Sequence, residues 1–140
     1  MQRRRKSRIL ALFMLYALEV QKTTSMGVAR STLNIFTRRA EQCVEDFALS
    51  LVRGVLAHQA EIDQLIVARS DNWRIERIAA VDRLMMRIAL YEMLFEPQTP
   101  AAVCINEAIE IAKQFSTAES GHFVNGVLDS IRKTRASSPA

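Results

Sequence analysis

The sequence predicts an all-α protein, and three observations carry that prediction. Four Gly and three Pro in 140 residues leave too few breakers for the turn every 8–12 residues or so that an all-β fold needs. The apolar positions recur at helical rather than alternating spacing, as in Val44, Phe47, Ala48, Leu51 and Val55. Apolar residues make up 49% and charged residues 24% of the chain, which excludes collagen-like, low-complexity and wholly disordered classes. A chain of this length reads as one domain, residues 1–140, able to bury about two thirds of its unfolded surface without disulfide or metal staples.

Taken in order, the stretch from Ser7 to about Lys22 has no Gly or Pro and is apolar on nearly every side, which marks a mostly buried first helix. Thr23-Thr24-Ser25-Met26-Gly27 breaks it, and a weaker helix follows from about Val28 to Phe36, ending near Thr37-Arg38-Arg39. A third helix runs from Ala40 to about His58, and Ile62, Leu65 and Ile66 continue it to about Arg69, with or without a break. Ser70-Asp71-Asn72 carries a helix-start signature, so Trp73 to Phe95 is expected to be the longest clear helix. Glu96-Pro97-Gln98-Thr99-Pro100 stops it; Thr99-Pro100 then serves either as cap and first turn or as an extended lead-in to a helix reaching Phe115. Ser116 to Ser120 is a loop, with Ser120 the expected cap of a last helix to about Arg132 and a short flexible tail over 134–140. Six or seven helices result, with no strand required. Gly54 and Gly126 fall inside helices, where each costs about 1 kcal/mol against Ala, so both positions suggest close helix–helix approach.

Nineteen Lys and Arg against fifteen Asp and Glu give a net charge of +4. Arg3, Arg4, Arg5, Lys6 and Arg8 lie in the first eight residues, and Arg132, Lys133 and Arg135 in the last nine. That leaves 11 cations against all 15 acids between Ile9 and Ile131, a net of −4. A polyanionic partner would therefore be met at the basic ends, above all at an N-terminal arm over residues 1–8. The apolar run from Ile9 to Leu18 behind that arm resembles a secretory signal. It is shorter than the roughly 20 residues a membrane span needs, and no small-x-small cleavage pattern follows it closely. A buried helix with a basic leading end is the better reading. Cys43 and Cys104 are too far apart for a CxxC metal knuckle and are expected to be reduced, packed thiols of a cytoplasmic protein.

Chemistry is largely missing. GxGxxG, GxxxxGK[ST] and GxSxG are absent. His58 and His122 have no ligand-spaced neighbours and are expected on solvated helix faces. Glu107 and Glu110 form a solvated or partner-facing strip more readily than an acid–base pair. No catalytic residue, metal or cofactor is expected, and an enzyme is rejected. Asp82, Arg83 and Arg87 stand out because solitary charges among apolar residues must be paired or exposed. The residues alone leave a structural salt bridge and a docking patch equally open.

Taken together, the Arg-rich start with Ala11-Leu12-Phe13-Met14-Leu15-Tyr16, then Gly54-Val55, Ile62-Asp63, Val81-Asp82-Arg83 and Arg87-Ile88-Ala89-Leu90-Tyr91-Glu92, resemble the NusB family of bacterial transcription antitermination factors. The blocks Ile105-Asn106-Glu107-Ala108-Ile109-Glu110-Ile111-Ala112-Lys113 and Phe123-Val124-Asn125-Gly126-Val127-Leu128-Asp129 complete the series and are together highly specific. The resemblance covers nearly the whole chain apart from residues 20–43.

It implies a compact all-α bundle of two packed subdomains and an RNA-binding adaptor in the cytoplasm. Such proteins pair with the ribosomal protein NusE, bind the boxA element of nascent rRNA leaders, and join other antitermination factors on RNA polymerase; some form homodimers. The fold also precedes an rRNA cytosine methyltransferase domain in some relatives, an activity not expected of this chain. By position, Arg3, Arg4, Arg5, Lys6 and Arg8 match the family's RNA-binding start, and Glu119 (commonly Asp in relatives) and Phe123 match a second RNA-contacting region. Tyr16, Asp82 (usually Glu) and Arg87 match positions facing NusE. Whether Phe123 faces RNA or the core is open. The competing class is a helical protein-binding or dimerisation module without RNA binding, whose basic arm is a solvated tail.

Overall fold

The structure, a computed structural model, describes residues 2–37, 41–70 and 74–136. It contains α1 (Gln2–Gln21), α2 (Met26–Phe36), α3 (Gln42–Ala68), a 3-10 turn (Ile75–Arg77), α4 (Ala80–Phe95), α5 (Ala101–Phe115) and α6 (Ala118–Ala136), with no strand among the described residues. The chain divides into two compact units, residues 1–57 and 58–140, and α3 contributes to both.

In the first unit α1 packs against α2. Leu10, Ala11, Met14, Leu15 and Leu18 of α1 are buried, as are Ala29 and Leu33 of α2. Lys22 ends α1 with φ 55°, and the Thr23 N–H reaches the Leu18 carbonyl at 3.0 Å while the Lys22 N–H reaches Glu19 at 3.1 Å. That is the Schellman pattern, with lysine where glycine is usual. Ser25 caps α2, its hydroxyl accepting from the Val28 N–H at 3.3 Å. Val44, Ala48, Leu51, Val52 and Val55 bury the expected face of α3.

In the second unit α5 packs on both α4 and α6, and α4 also meets α6. Apolar residues of all three helices are buried there, from Leu84 to Ile88, Ile105 to Ile111 and Val124 to Ile131.

Several expectations are corrected. The first helix starts at Gln2 rather than Ser7, so the basic segment is itself helical. α3 runs unbroken past His58 and, at 27 residues, is the longest helix. The helix expected from Trp73 begins only at Ala80; Asp71, Asn72 and Trp73 lie outside the described residues, as do Arg38, Arg39, Ala40 and residues 137–140. Ser70 does not start a helix: its hydroxyl donates to the Ile66 carbonyl at the end of α3. Pro100, at φ −58° and ψ 143°, is an extended lead-in to α5. Thr117, not Ser120, caps α6, its hydroxyl accepting from the Ser120 N–H at 3.1 Å. α6 extends to Ala136, so residues 134–136 are helix rather than tail. Gly126 has open space around it, whereas a Cβ at Gly121 would lie 2.8 Å from the Lys113 stem. A close approach is therefore found at Gly121 and not at Gly126, and Gly54 is buried.

Candidate nucleic-acid and partner interfaces

Arg is a good helix former, yet the first turns of α1 contain no acid. Cations there sit at the positive end of the helix dipole, an arrangement costing typically 0.3–1 kcal/mol per charge. Three tertiary contacts within the first unit offset it. The Arg3 guanidinium lies 3.2 Å from the Glu41 carboxylate. Arg4 stacks over the Phe47 ring, 3.7 Å from its centroid. The Ser7 hydroxyl donates to the Val44 carbonyl at 2.8 Å. Arg3, Arg4 and Lys6 are exposed and Arg5 is half-buried. Arg8 is only 3% exposed, because it shares the inward line of Ala11, Leu12 and Leu15. Its guanidinium is 6.0 Å from the Phe47 centroid. The five-cation arm therefore presents four cations, and Arg8 is held inside.

Tyr16 is 50% exposed on the same helix. Its expected companions lie in the second unit and are not surface charges. Arg87 donates two hydrogen bonds to Asp63 of α3, Nε to Oδ1 at 2.8 Å and Nη2 to Oδ2 at 2.9 Å. Asp82 is 6% exposed and hydrogen-bonds Ser120 of α6. One of its carboxylate oxygens has no hydrogen-bond partner. Burial pushes the Asp82 carboxyl above its ordinary value, and the Ser120 hydrogen bond only partly opposes this. Five residues of helix separate Asp82 and Arg87 by about 140° of rotation, so the two charges serve different neighbours rather than one patch. Between them Arg83 donates from Nη1 to the Ile78 carbonyl at 2.7 Å.

Glu119 is exposed in the first turn of α6. Phe123, one turn on, is half-buried and lines a pocket of about 220 Å³ with Arg77, Ile78 and Ala79. Phe123 is thus neither a sealed core residue nor a free one. The chain through Ser120 fixes this first turn: its hydroxyl lies 2.8 Å from that of Ser116 as well as bonding Asp82. Sequence reasoning missed Asp63, Arg77 and Ser120. Only Asp63 had a signal, a lone acid beside the buried line of Ile62 and Ile66.

Other titratable groups also depart from expectation. Glu107 is fully buried, as is Glu92, so the acidic strip with Glu110 does not exist as a strip. His58 is only partly solvated: its side chain is 33% exposed, its ring stacks on Phe95 with centroids 3.8 Å apart, and its Nδ1 lies 2.7 Å from Glu61. Cys43 is exposed and Cys104 buried. Burial, then the charge and hydrogen bond of Glu96 and the charge of Glu92, hold the Tyr91 phenol above its usual value. Among the described residues no three His, Cys, Asp or Glu side chains gather as metal ligands, and no helix is long and apolar enough to cross a membrane.

Six helices led by an exposed cationic turn define a small all-α protein whose conspicuous surface chemistry suits an anion. The NusB family pattern matches residues 5–133. A transcription antitermination protein NusB of Trichlorobacter lovleyi is 48% identical over 130 residues, spanning 91% of this chain and 89% of that protein. Among solved structures, T. maritima NusB is 35% identical, with a TM-score of 0.84 over 93% of this chain and 90% of that one. A NusB solved with NusE and double-stranded RNA is 24% identical, with a TM-score of 0.85 over 96% of this chain and 98% of that one, a likeness of fold. The chain belongs to the NusB family.

Proposed function

We propose that this protein is an RNA-binding transcription antitermination adaptor of the cytoplasm that acts with NusE on boxA of rRNA leader transcripts and joins a complex on RNA polymerase. Related proteins carry the name transcription antitermination protein, and a structural neighbour was solved with NusE and RNA. The observation that carries the reading is the cationic start of α1. Arg3, Arg4 and Lys6 remain exposed at a helix end where cations weaken the helix. A local rule broken in this way is expected at a binding site, and a phosphate backbone is the partner that gains from it. Arg dominates the set, which favours forked bonds to phosphate and stacking on bases.

Filter binding of a single-stranded boxA-type RNA across a salt series tests the reading. Each neutralised phosphate adds about −0.7 to the slope of log affinity against log salt for single strands. Five cations would give about −3.5 and the four not enclosed give about −2.8. Changing Arg3, Arg4, Arg5 and Lys6 to Gln should flatten the slope and weaken all RNAs alike. An arm variant with parental affinity at every salt concentration would leave a protein-binding module instead.

A further inference from the structure

We infer that the aromatic platform formed by His58, Tyr91 and Phe95 is a docking site for an arginine side chain of a protein partner, with Glu61 and Glu96 as its counter-charges. The inference is independent of the RNA-binding reading. The platform lies at the C-terminal end of α4, roughly 20 Å along that helix from the pocket beside Phe123.

Tyr91 and Phe95 stand one turn apart on α4, and His58 reaches them from α3. The His58 ring stacks on Phe95 with centroids 3.8 Å apart and planes at 18°. Tyr91 lies beside both, 5.7 Å from Phe95 and 6.2 Å from His58, each at 25°. None of the three is sealed in the core: the His58 side chain is 33% exposed, and Tyr91 and Phe95 are half-buried. Rings this close to parallel offer a flat face rather than the cage that encloses a quaternary ammonium. A guanidinium is planar, so it stacks on such a face and keeps its N–H groups for acceptors at the edge.

Those acceptors are in place. Glu61, one turn beyond His58, is exposed, and its Oε1 lies 2.7 Å from His58 Nδ1. Glu96 follows Phe95, and its Oε1 accepts from the Tyr91 hydroxyl at 3.2 Å. Among the described residues neither carboxylate is paired with a Lys or Arg. After burial, Glu96 and Glu92 hold the Tyr91 phenol above its ordinary value, so the platform sits in a negative field. That field repels a phosphate backbone, whereas a cation gains from the ring faces and the carboxylates together. Arginine uses both; the ammonium of lysine is a strongly hydrated point charge that cannot stack.

The protein is titrated with acetyl-Gly-Arg-Gly-amide and with acetyl-Gly-Lys-Gly-amide, and the ring signals of His58, Tyr91 and Phe95 are followed by NMR. Saturable shifts of all three rings are expected, with the arginine peptide bound about 2- to 5-fold more tightly, the worth of a cation over an exposed ring. Phe95→Leu, which keeps an apolar side chain, should erase that preference. His58→Gln, at a partly exposed position, should do the same without disturbing the core. Glu61→Gln/Glu96→Gln should weaken both peptides alike by a few-fold. Circular dichroism confirms the fold of each variant. Equal binding of the two peptides by the parent, or ring signals that stay still, would overturn the inference. So would the same shifts on concentrating the protein alone, which would assign the platform to a second copy of this chain. Shifts on adding single-stranded boxA-type RNA would assign it to nucleic acid and equally overturn it. RNA affinity should be parental in all three variants, so either reading can fail while the other stands.

Discussion

Replacing Asp63 by Ala should unfold this protein far more readily than its position on an outer turn of α3 suggests. The Arg87 side chain is 7% exposed and that of Asp63 21%, and the two share a pair of hydrogen bonds of 2.8 and 2.9 Å. Removing one partner of a buried pair costs about 3–5 kcal/mol, because the other charge stays in low dielectric without its counter-ion. The partial exposure of Asp63 places the loss at the lower end, about 3 kcal/mol. With a urea m-value of about 1.5 kcal/mol/M, the midpoint should fall by about 2 M. The double variant Asp63→Leu/Arg87→Met should recover most of that loss, since a well-packed apolar pair often matches a buried ion pair. Urea denaturation followed by circular dichroism measures all three proteins. A shift below about 0.7 M for Asp63→Ala, equivalent to about 1 kcal/mol, would show that the pair behaves as an exposed one. Arg87 would then be available to a partner, and reversing it would weaken NusE binding at little cost in stability, as its place in the family pattern implies.

Asp82→Asn should stabilise the protein at neutral pH. The native carboxyl is raised above its ordinary 3.8, so between the unfolded and native values the native state binds more protons. Stability then falls as pH rises through that window, and the loss is complete above it. Thermal melts should show the Asn variant ahead at pH 7 and its advantage gone below the unfolded value; equal melting at both would refute the burial argument. Gly126→Ala, in open space inside α6, should gain up to about 1 kcal/mol from helix propensity, read as a raised urea midpoint. A thiol reagent should modify Cys43 at once and Cys104 only on unfolding, given their exposed and buried positions; two fast thiols in folded protein would contradict this.

Much of the fold was legible because periodicity and breakers act locally. Thr23, Thr24 and Ser25 and the Glu96–Pro100 stop fall between observed helices, while Met26 and Gly27 form the first turn of α2. Residues 74–79 were not legible. Ile78-Ala79-Ala80 has no breaker, but the Ile78 carbonyl that a continuing helix would use accepts the Arg83 guanidinium instead. That bond comes from tertiary placement, which no window of propensity contains. Ser120 was misread for a related reason: Ser116, Thr117 and Ser120 all have capping chemistry, and burial against Asp82 withdraws Ser120 from the choice. In the cationic segment the charge is plain from the sequence, whereas the burial of Arg8 shows only in the apolar line it shares. The line Arg8, Ala11, Leu12 and Leu15 carried that signal, at the spacing of a single inward face.

The charges of α4 show where amphipathic reasoning fails. Every residue from Asp82 to Leu90 is buried, so the helix has no solvated face for the charges to occupy. Apolar burial is non-directional and on its own does not fix how an enclosed helix is rotated. Directional bonds do. Asp82 bonds Ser120 of α6, Arg83 bonds the Ile78 carbonyl before the helix, and Arg87 bonds Asp63 of α3. These lie at different angles around one axis, and turning the helix by a single residue, about 100°, would strand all three in low dielectric. Removing one partner of such a buried charge costs several kcal/mol, so a misrotated α4 is excluded by more than packing. Two of these bonds, from Arg83 to the Ile78 carbonyl and between Asp82 and Ser120, also hold the segment before α4 and the first turn of α6, the two elements that meet at the pocket beside Phe123.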